Sequence, residues 1–306
     1  MAIPRERAAH AGAEARSDAV LVLAFALLPI LLFALTPVTT RVIVREIDPL
    51  MAGLMRTAGA IVVTLPLALA LRLRLPRDRE GWRLLVLNAA LTFTMFPVLF
   101  ALGGERTSAS HAGLIMASTP IITGLCAAVV EGRRPRPAWW IGCTVAFAGE
   151  AVLVLLRDPG QGAGASVAGD LLILGACFGS GMGYVAGARL GSREGVWSAT
   201  FWAINLASLA QLPLIALCWG GTDWSAVDLA GWAALLHLTY GVTVIALVAW
   251  VWALARGGIA RVAVLQFAQP AFALGLAALL LGERITPALA LTALCILAGV
   301  VIARRR

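Results

Sequence analysis

The 306-residue chain is 60% apolar and only 13% charged, about half the charged share of an ordinary water-soluble domain, which excludes a soluble globular enzyme or binding module. At roughly 20 residues per crossing, the length accommodates about ten membrane-spanning helices and leaves nothing for a separate soluble domain. The chain has no lysine, all 24 basic residues are arginine, and the net charge of +8 must come from membrane topology or from an acidic partner such as nucleic acid.

Taken in chain order, a polar tail at residues 1–18 carrying both charge signs precedes apolar runs at 19–40, 49–71, 84–103, 108–130, 138–156, 170–189, 198–219, 232–254, 259–281 and 288–303. The first run is longer than a signal-peptide core and lacks a small-residue cleavage site, so it reads as a retained span. The runs are separated by short segments rich in turn formers and charge, among them "RLPRDREGWR", "EGRRPRP", "RDPGQGAGASVAGD", "WGGTDW" and "GERITP". The predicted fold is an all-α integral membrane protein of ten transmembrane helices.

The arginines orient these helices. With the N-terminus in the cytoplasm, the inner segments hold three arginines in the tail, five over 72–83, three over 133–136, Arg189 and Arg193, Arg256 and Arg261, and the last three residues. The outer segments hold only Arg41, Arg45, Arg106, Arg157 and Arg284, with Arg56 left inside a span. This bias places both termini in the cytoplasm and accounts for the positive charge without nucleic acid.

Residues 120–149 align without a gap to residues 270–299. Pro120 matches Pro270, Gly132 matches Gly282, Arg134 matches Arg284, Pro137 matches Pro287 and Gly149 matches Gly299. The halves 19–156 and 170–303 each contain five spans. An odd number forces the second half to enter the membrane inverted, which is the sequence mark of an alternating-access carrier with its solute site near the midplane. The charges agree, since "EGRRPRP" carries three arginines on the inside and its partner "GERITP" one arginine and one glutamate outside.

The segments "LQFAQPAFALGLAALLLGERITP" and "LIMASTPIITGLCAAVVEGRRP", and more moderately "GDLLILGACFGSGMGYVAGARL" and "DPLMAGLMRTAGA", resemble the ten-helix EamA-type members of the drug/metabolite transporter superfamily across nearly the whole chain. In the first copy the family's turn glutamate is replaced at the aligned position by Arg133, with Glu131 two residues earlier. The resemblance implies a bacterial inner-membrane carrier, often an exporter of amino acids or related metabolites, with a central cavity among spans 1, 3, 4, 6, 8 and 9.

Within "GACFGSGMGYVAG", glycine recurs at Gly175, Gly179, Gly183 and Gly187. A phosphate-cradling loop follows a strand in water, whereas this run lies inside the sixth span. Glycines four apart form one flank that lets another backbone approach. Helix packing and cavity lining are both open for it, and Gly181, off the flank, is a candidate hinge near the midplane.

Polar groups buried in lipid are costly and mark candidate sites. Arg56 and Glu150 each lie about seven residues, roughly 10 Å, from the outer ends of their spans, so they form either an ion pair or two groups solvated in a vestibule. Glu150 is also the candidate carrier of a coupling proton. The candidate solute-binding residues are Asn88 and Thr92 on the third span, Ser118 and Thr119 before Pro120, Gln266 and Gln269 before Pro270, His237 and Tyr240 on the eighth span, and Trp202. The two prolines free the carbonyls of Met116 and Gln266 at mid-depth, and uncharged donors and acceptors there suit a zwitterionic or neutral solute. Bonding between neighbouring helices is the plainer alternative for each. His111 and most tryptophans, Trp139 included, read as interfacial, while Trp250 and Trp252 are further candidates to line a path.

Cys126, Cys143, Cys177, Cys218 and Cys295 show no metal-ligand spacing and read as packing residues. No cofactor, metal or obligate protein partner is expected; the partners are the lipid bilayer, a small solute and, for coupling, protons. A membrane hydrolase lacks any HExxH, aspartate pair or GxSG elbow, and the absence of lysine excludes a retinal Schiff base. A passive channel or facilitator is the remaining alternative to an exporter.

Overall fold

In a computed structural model of the chain, the described residues are 3–132, 136–155, 166–257, 265 and 268–304; side chains at 3–20, 131, 150–155, 254, 255, 257, 300, 303 and 304 fall outside that description. The described residues form helices and no strand. They are α1 Ile3–Ile43, α2 Pro49–Ala70, α3 Arg79–Arg106, α4 Ala109–Val130, α5 Pro137–Leu155, α6 Val167–Glu194, α7 Val196–Gly221, α8 Leu229–Ala253, α9 Gln269–Leu281 and α10 Pro287–Arg304. Seven of these, α1 through its Leu21–Ile43 part together with α2, α3, α4, α6, α7 and α8, are long and apolar enough to cross a membrane. α1 begins at Ile3, so the helix takes in most of the tail expected to precede it.

Local sequence explains where the helices start and stop. Asp48 accepts from Met51 N with Pro49 next to it, Asp78 accepts from Gly81 N, Ser108 from His111 N, Ser166 from Gly169 N, and Asp228 from Ala230 N and Gly231 N. Each satisfies a backbone donor that the first helical turn leaves open. The repeat-matched Gly132 and Gly282 close α4 and α9 with φ of 65° and 68°, a left-handed conformation that costs glycine nothing.

The two halves share a further irregularity. α3 widens into a π-helix at Leu91–Met95 and α8 does so at His237–Ala246, positions that overlap at the 150-residue offset of the repeat. In each, a threonine hydroxyl donates five residues back, Thr94 to the Ala89 carbonyl at 3.3 Å and Thr243 to the Leu238 carbonyl at 2.9 Å. A wide turn shifts the helix register and is found mostly at functional segments.

Glycine sets the closest packing. The flank of α6 lies along α3: a Cβ on Gly175 would stand 3.7 Å from Leu99, on Gly179 2.9 Å from Met95, on Gly183 2.1 Å from the Thr92 hydroxyl, and on Gly187 2.8 Å from the Asn88 amide. Gly181 faces α4 instead, where a Cβ would lie 3.2 Å from Ile122, and α6 runs through it as unbroken helix. α5 crosses α10 at the repeat-matched pair, with Gly149 against Cys295 and Gly299 against Ala146 and the Gly142 carbonyl. Cys126, Cys143 and Cys177 are buried in the main apolar cluster with Phe100, Leu114, Ile122 and Ile173.

Candidate functional site

Helix α1 carries Pro37, which has no N–H to offer the Phe33 carbonyl, and Phe33 and Thr36 from that turn face a cavity of about 610 Å³. Arg56 of α2 and Phe96 of α3 enter it from one side. The turn from Met116 through Thr119 to Thr123 of α4, Trp139 of α5, and Ser180 and Tyr184 of α6 continue the wall. The circuit closes on Val242, Leu247 and Trp250 of α8, Gln269 and Pro270 of α9, and Ile296 and Leu297 of α10. The volume suits a small organic molecule. Repeat-matched Pro120 and Pro270 both lie on the wall, so the two halves meet the cavity through equivalent turns.

Arg56 is the charged side chain on this wall among the described residues. It is only 7% exposed, its guanidinium carbon lies 5.3 Å from the centroid of the Phe96 ring, and its Nε is buried with no hydrogen-bond partner. No hydrogen bond or ion pair reaches it among the described residues. A guanidinium over an aromatic face gains only part of what water would supply, so among the described residues the cation is poorly compensated.

The expected solute-binding residues divide. Thr119 and Gln269 line the cavity, as do Pro120 and Pro270. Thr119 donates to the Met116 carbonyl at 2.6 Å, so the acceptor that Pro120 frees is already filled. Ser118 is fully buried and donates to the Ile115 carbonyl at 2.8 Å. Asn88 and Thr92 face the glycine flank of α6, away from the cavity wall. Tyr240 donates to the Gly59 carbonyl at 3.2 Å, Trp202 donates to the Leu73 carbonyl at 3.2 Å, and His237 Nδ1 is bonded to the Thr39 hydroxyl at 3.1 Å. Tyr240, His237 and Trp202 thus bond to neighbouring elements, as the plainer reading has it, whereas Ser118 bonds within its own turn and the Thr92 hydroxyl is buried without a partner among the described residues. Gln266 and the Glu150 side chain lie outside the described residues.

Two residues read as interfacial make contacts within the protein. His111 is buried, its Nδ1 is 3.2 Å from Asp170 Oδ2, and Asp170 also accepts from the Thr107 hydroxyl. Trp139 lies on the cavity wall. Sequence reasoning passed over Phe33, Thr36, Phe96, Ser180 and Tyr184; the signal for Tyr184 was its place inside the glycine run, as one of the chain's two tyrosines. It also passed over three polar side chains of α7: Asn205 accepts from the Thr64 hydroxyl at 2.6 Å, Ser208 donates to the Thr57 carbonyl at 2.9 Å, and Gln211 donates to the Phe93 carbonyl at 2.9 Å.

Two stretches of the chain, 20–155 and 167–305, each match the model of the EamA-like transporter family. The chain belongs to that family. It is 33% identical over 276 residues to the uncharacterized transporter YdeK of Bacillus subtilis, covering 90% of this chain and 94% of that one. It is 28% identical over 301 residues to a probable amino-acid metabolite efflux pump of Escherichia coli, covering 94% of each. With a probable terminal-alkyne amino-acid exporter of Streptantibioticus cattleyicolor it shares 28% identity over 249 residues, 80% of this chain and 81% of the relative. A solved protein structure of the same fold aligns with a TM-score of 0.59 at 22% identity, covering 92% of this chain and 96% of its own. Family membership and the long apolar helices make this chain a multi-pass membrane transporter, not an enzyme, built on two EamA units.

Proposed function

We propose that the protein is a secondary transporter that exports a small metabolite, an amino acid or a related zwitterion or amine, across the bacterial inner membrane by alternating access. The observation that carries this reading is the cavity: both EamA units contribute to it, and the repeat-matched turns at Pro120 and Pro270 stand on its wall. In this account ten helices cross the bilayer as two inverted sets of five, both termini are cytoplasmic, and rocking of one set against the other exposes the cavity to each side in turn. Two groups of contacts between helix ends support it. Arg193 pairs with Asp78 and Glu80 among ends read as cytoplasmic. Arg41 donates to the carbonyls of Gly104 and Glu105, and Glu283 accepts from Ala109 N, among ends read as periplasmic. The relatives named as an amino-acid metabolite efflux pump and an amino-acid exporter support the solute class and direction.

The experiment is a panel of radiolabelled amino acids and amines presented to proteoliposomes, with and without a pH gradient. Saturable uptake of at least one class that responds to the gradient is expected. Non-saturable flux would favour a channel, and no flux of either class would contradict the reading.

A further inference from the structure

Resting on the reading of the cavity as the solute site, we infer that Arg56 binds the solute's carboxylate and that the transported molecules are organic acids with an apolar or aromatic body, amines lacking an acid group being excluded. Three observations meet here. The first is charge. A guanidinium buried to 7% exposure with an unpartnered Nε carries a desolvation cost of several kcal/mol when left alone. No acid pairs with it among the described residues, and the aromatic face of Phe96 at 5.3 Å is a weak substitute for an anion. An arriving carboxylate removes that cost, and the planar guanidinium offers it paired donors.

The second is the wall around the guanidinium, where Phe33, Phe96, Tyr184 and Trp250 present rings to the same cavity. A solute anchored by its carboxylate lays an apolar or aromatic body against these rings and loses little, because the pocket offers few polar groups that its body must desolvate. The third is what the wall lacks. Among the described lining residues there is no aspartate or glutamate. An ammonium group entering the cavity meets the neutral side chains of Gln269, Thr36, Thr123, Ser180 and Tyr184 there, and Arg56 repels it. A zwitterion can therefore be accepted through its carboxylate, its ammonium bonded to neutral acceptors, whereas a free amine cannot.

The test uses three probes of one shape, 3-phenylpropanoate, 3-phenylpropanamide and 3-phenylpropylamine, added to the purified full-length protein in detergent. Binding is read from quenching of the intrinsic tryptophan fluorescence to which Trp139 and Trp250 contribute. The carboxylate is expected to bind at least about tenfold more tightly than the amide or the amine. In Arg56→Gln the carboxylate and amide should bind alike, and Arg56→Lys should restore part of the preference. If Arg56→Gln does not fold, the order of the three probes on the wild-type protein decides by itself. Equal or tighter binding of the amine or amide, no binding of the carboxylate at millimolar concentration, or an undiminished carboxylate preference in Arg56→Gln would each overturn the inference. So would recovery of carboxylate binding on adding Glu150→Gln to Arg56→Gln, because the guanidinium would then serve that side chain. Arg56-dependent binding without any transport of the carboxylate would refute the carrier reading and leave Arg56 as the carboxylate-binding group; transport of amines independent of Arg56 would uphold the carrier reading and overturn the inference.

Discussion

A single carboxylate, Glu283, closes the start of α4 from the turn that follows α9. It accepts from Ala109 N at 2.8 Å and from Ser110 N at 2.9 Å, and the Ser110 hydroxyl donates to it as well. These are amides that the first helical turn cannot pair itself, and the negative charge suits the helix N-terminus. Glu283→Ala is expected to destabilise the protein by about 1–2 kcal/mol, read as a lowered melting temperature in detergent, with Glu283→Gln losing less; an unchanged Glu283→Ala would contradict the capping role. At the aligned position of the first unit stands Arg133, which has no acceptor to offer. Single residues were only partly legible in the sequence. Arg56 stood out because an intramembrane charge is expensive wherever it points. For Asn88 and Thr92 the four-residue spacing fixes that they share a face and says nothing about which neighbour that face meets, here the glycines of α6.

Among elements, the contact of α6 with α3 makes the sharpest demands. Gly175→Ala should stay within about 0.5 kcal/mol of wild type, because the new methyl would sit at an ordinary 3.7 Å from Leu99. Gly183→Ala should cost about 1–3 kcal/mol, because its methyl would lie 2.1 Å from the Thr92 hydroxyl and 2.9 Å from the Thr92 backbone nitrogen. Folded yield and melting temperature in detergent compare the two, and equal behaviour would contradict the close approach. At the other end of α3, the Gly81 amide and then the Arg193 guanidinium hold the Asp78 carboxyl below its usual 3.8. A depressed carboxyl stabilises the fold above its unfolded value and loses that contribution as pH falls through the folded one. The small melting-temperature deficit of Asp78→Asn at neutral pH should therefore shrink as pH drops below 3.8; a deficit independent of pH would contradict the assignment. The caps, the glycine flank and the proline turns could be read from residue type. The π segments at 91–95 and 237–246 could not, because the choice between a bond four or five residues back is made by packing and by the hydroxyls of Thr94 and Thr243.

For the whole molecule, the match between residues 120–149 and 270–299 anticipated the two family units, and the glycines closing α4 and α9 with nearly equal φ are its structural counterpart. Such a repeat is visible because turns and crossings constrain glycine and proline more than lipid constrains its apolar residues. The cavity was less visible, since its wall is largely aromatic and aliphatic and such residues are everywhere in a chain that is 60% apolar. Reporter fusions after residues 133 and 306 should report cytoplasm and a fusion after 284 periplasm; a periplasmic C-terminus would remove the inversion of the halves. The central claim is that one cavity serves both sides of the membrane in turn, and counterflow measures it most directly. Proteoliposomes loaded with unlabelled 3-phenylpropanoate and diluted into a trace of labelled compound should accumulate label transiently above equilibrium, because a carrier exchanges one bound solute for another. Monotonic equilibration without an overshoot, at a rate proportional to concentration, would contradict it.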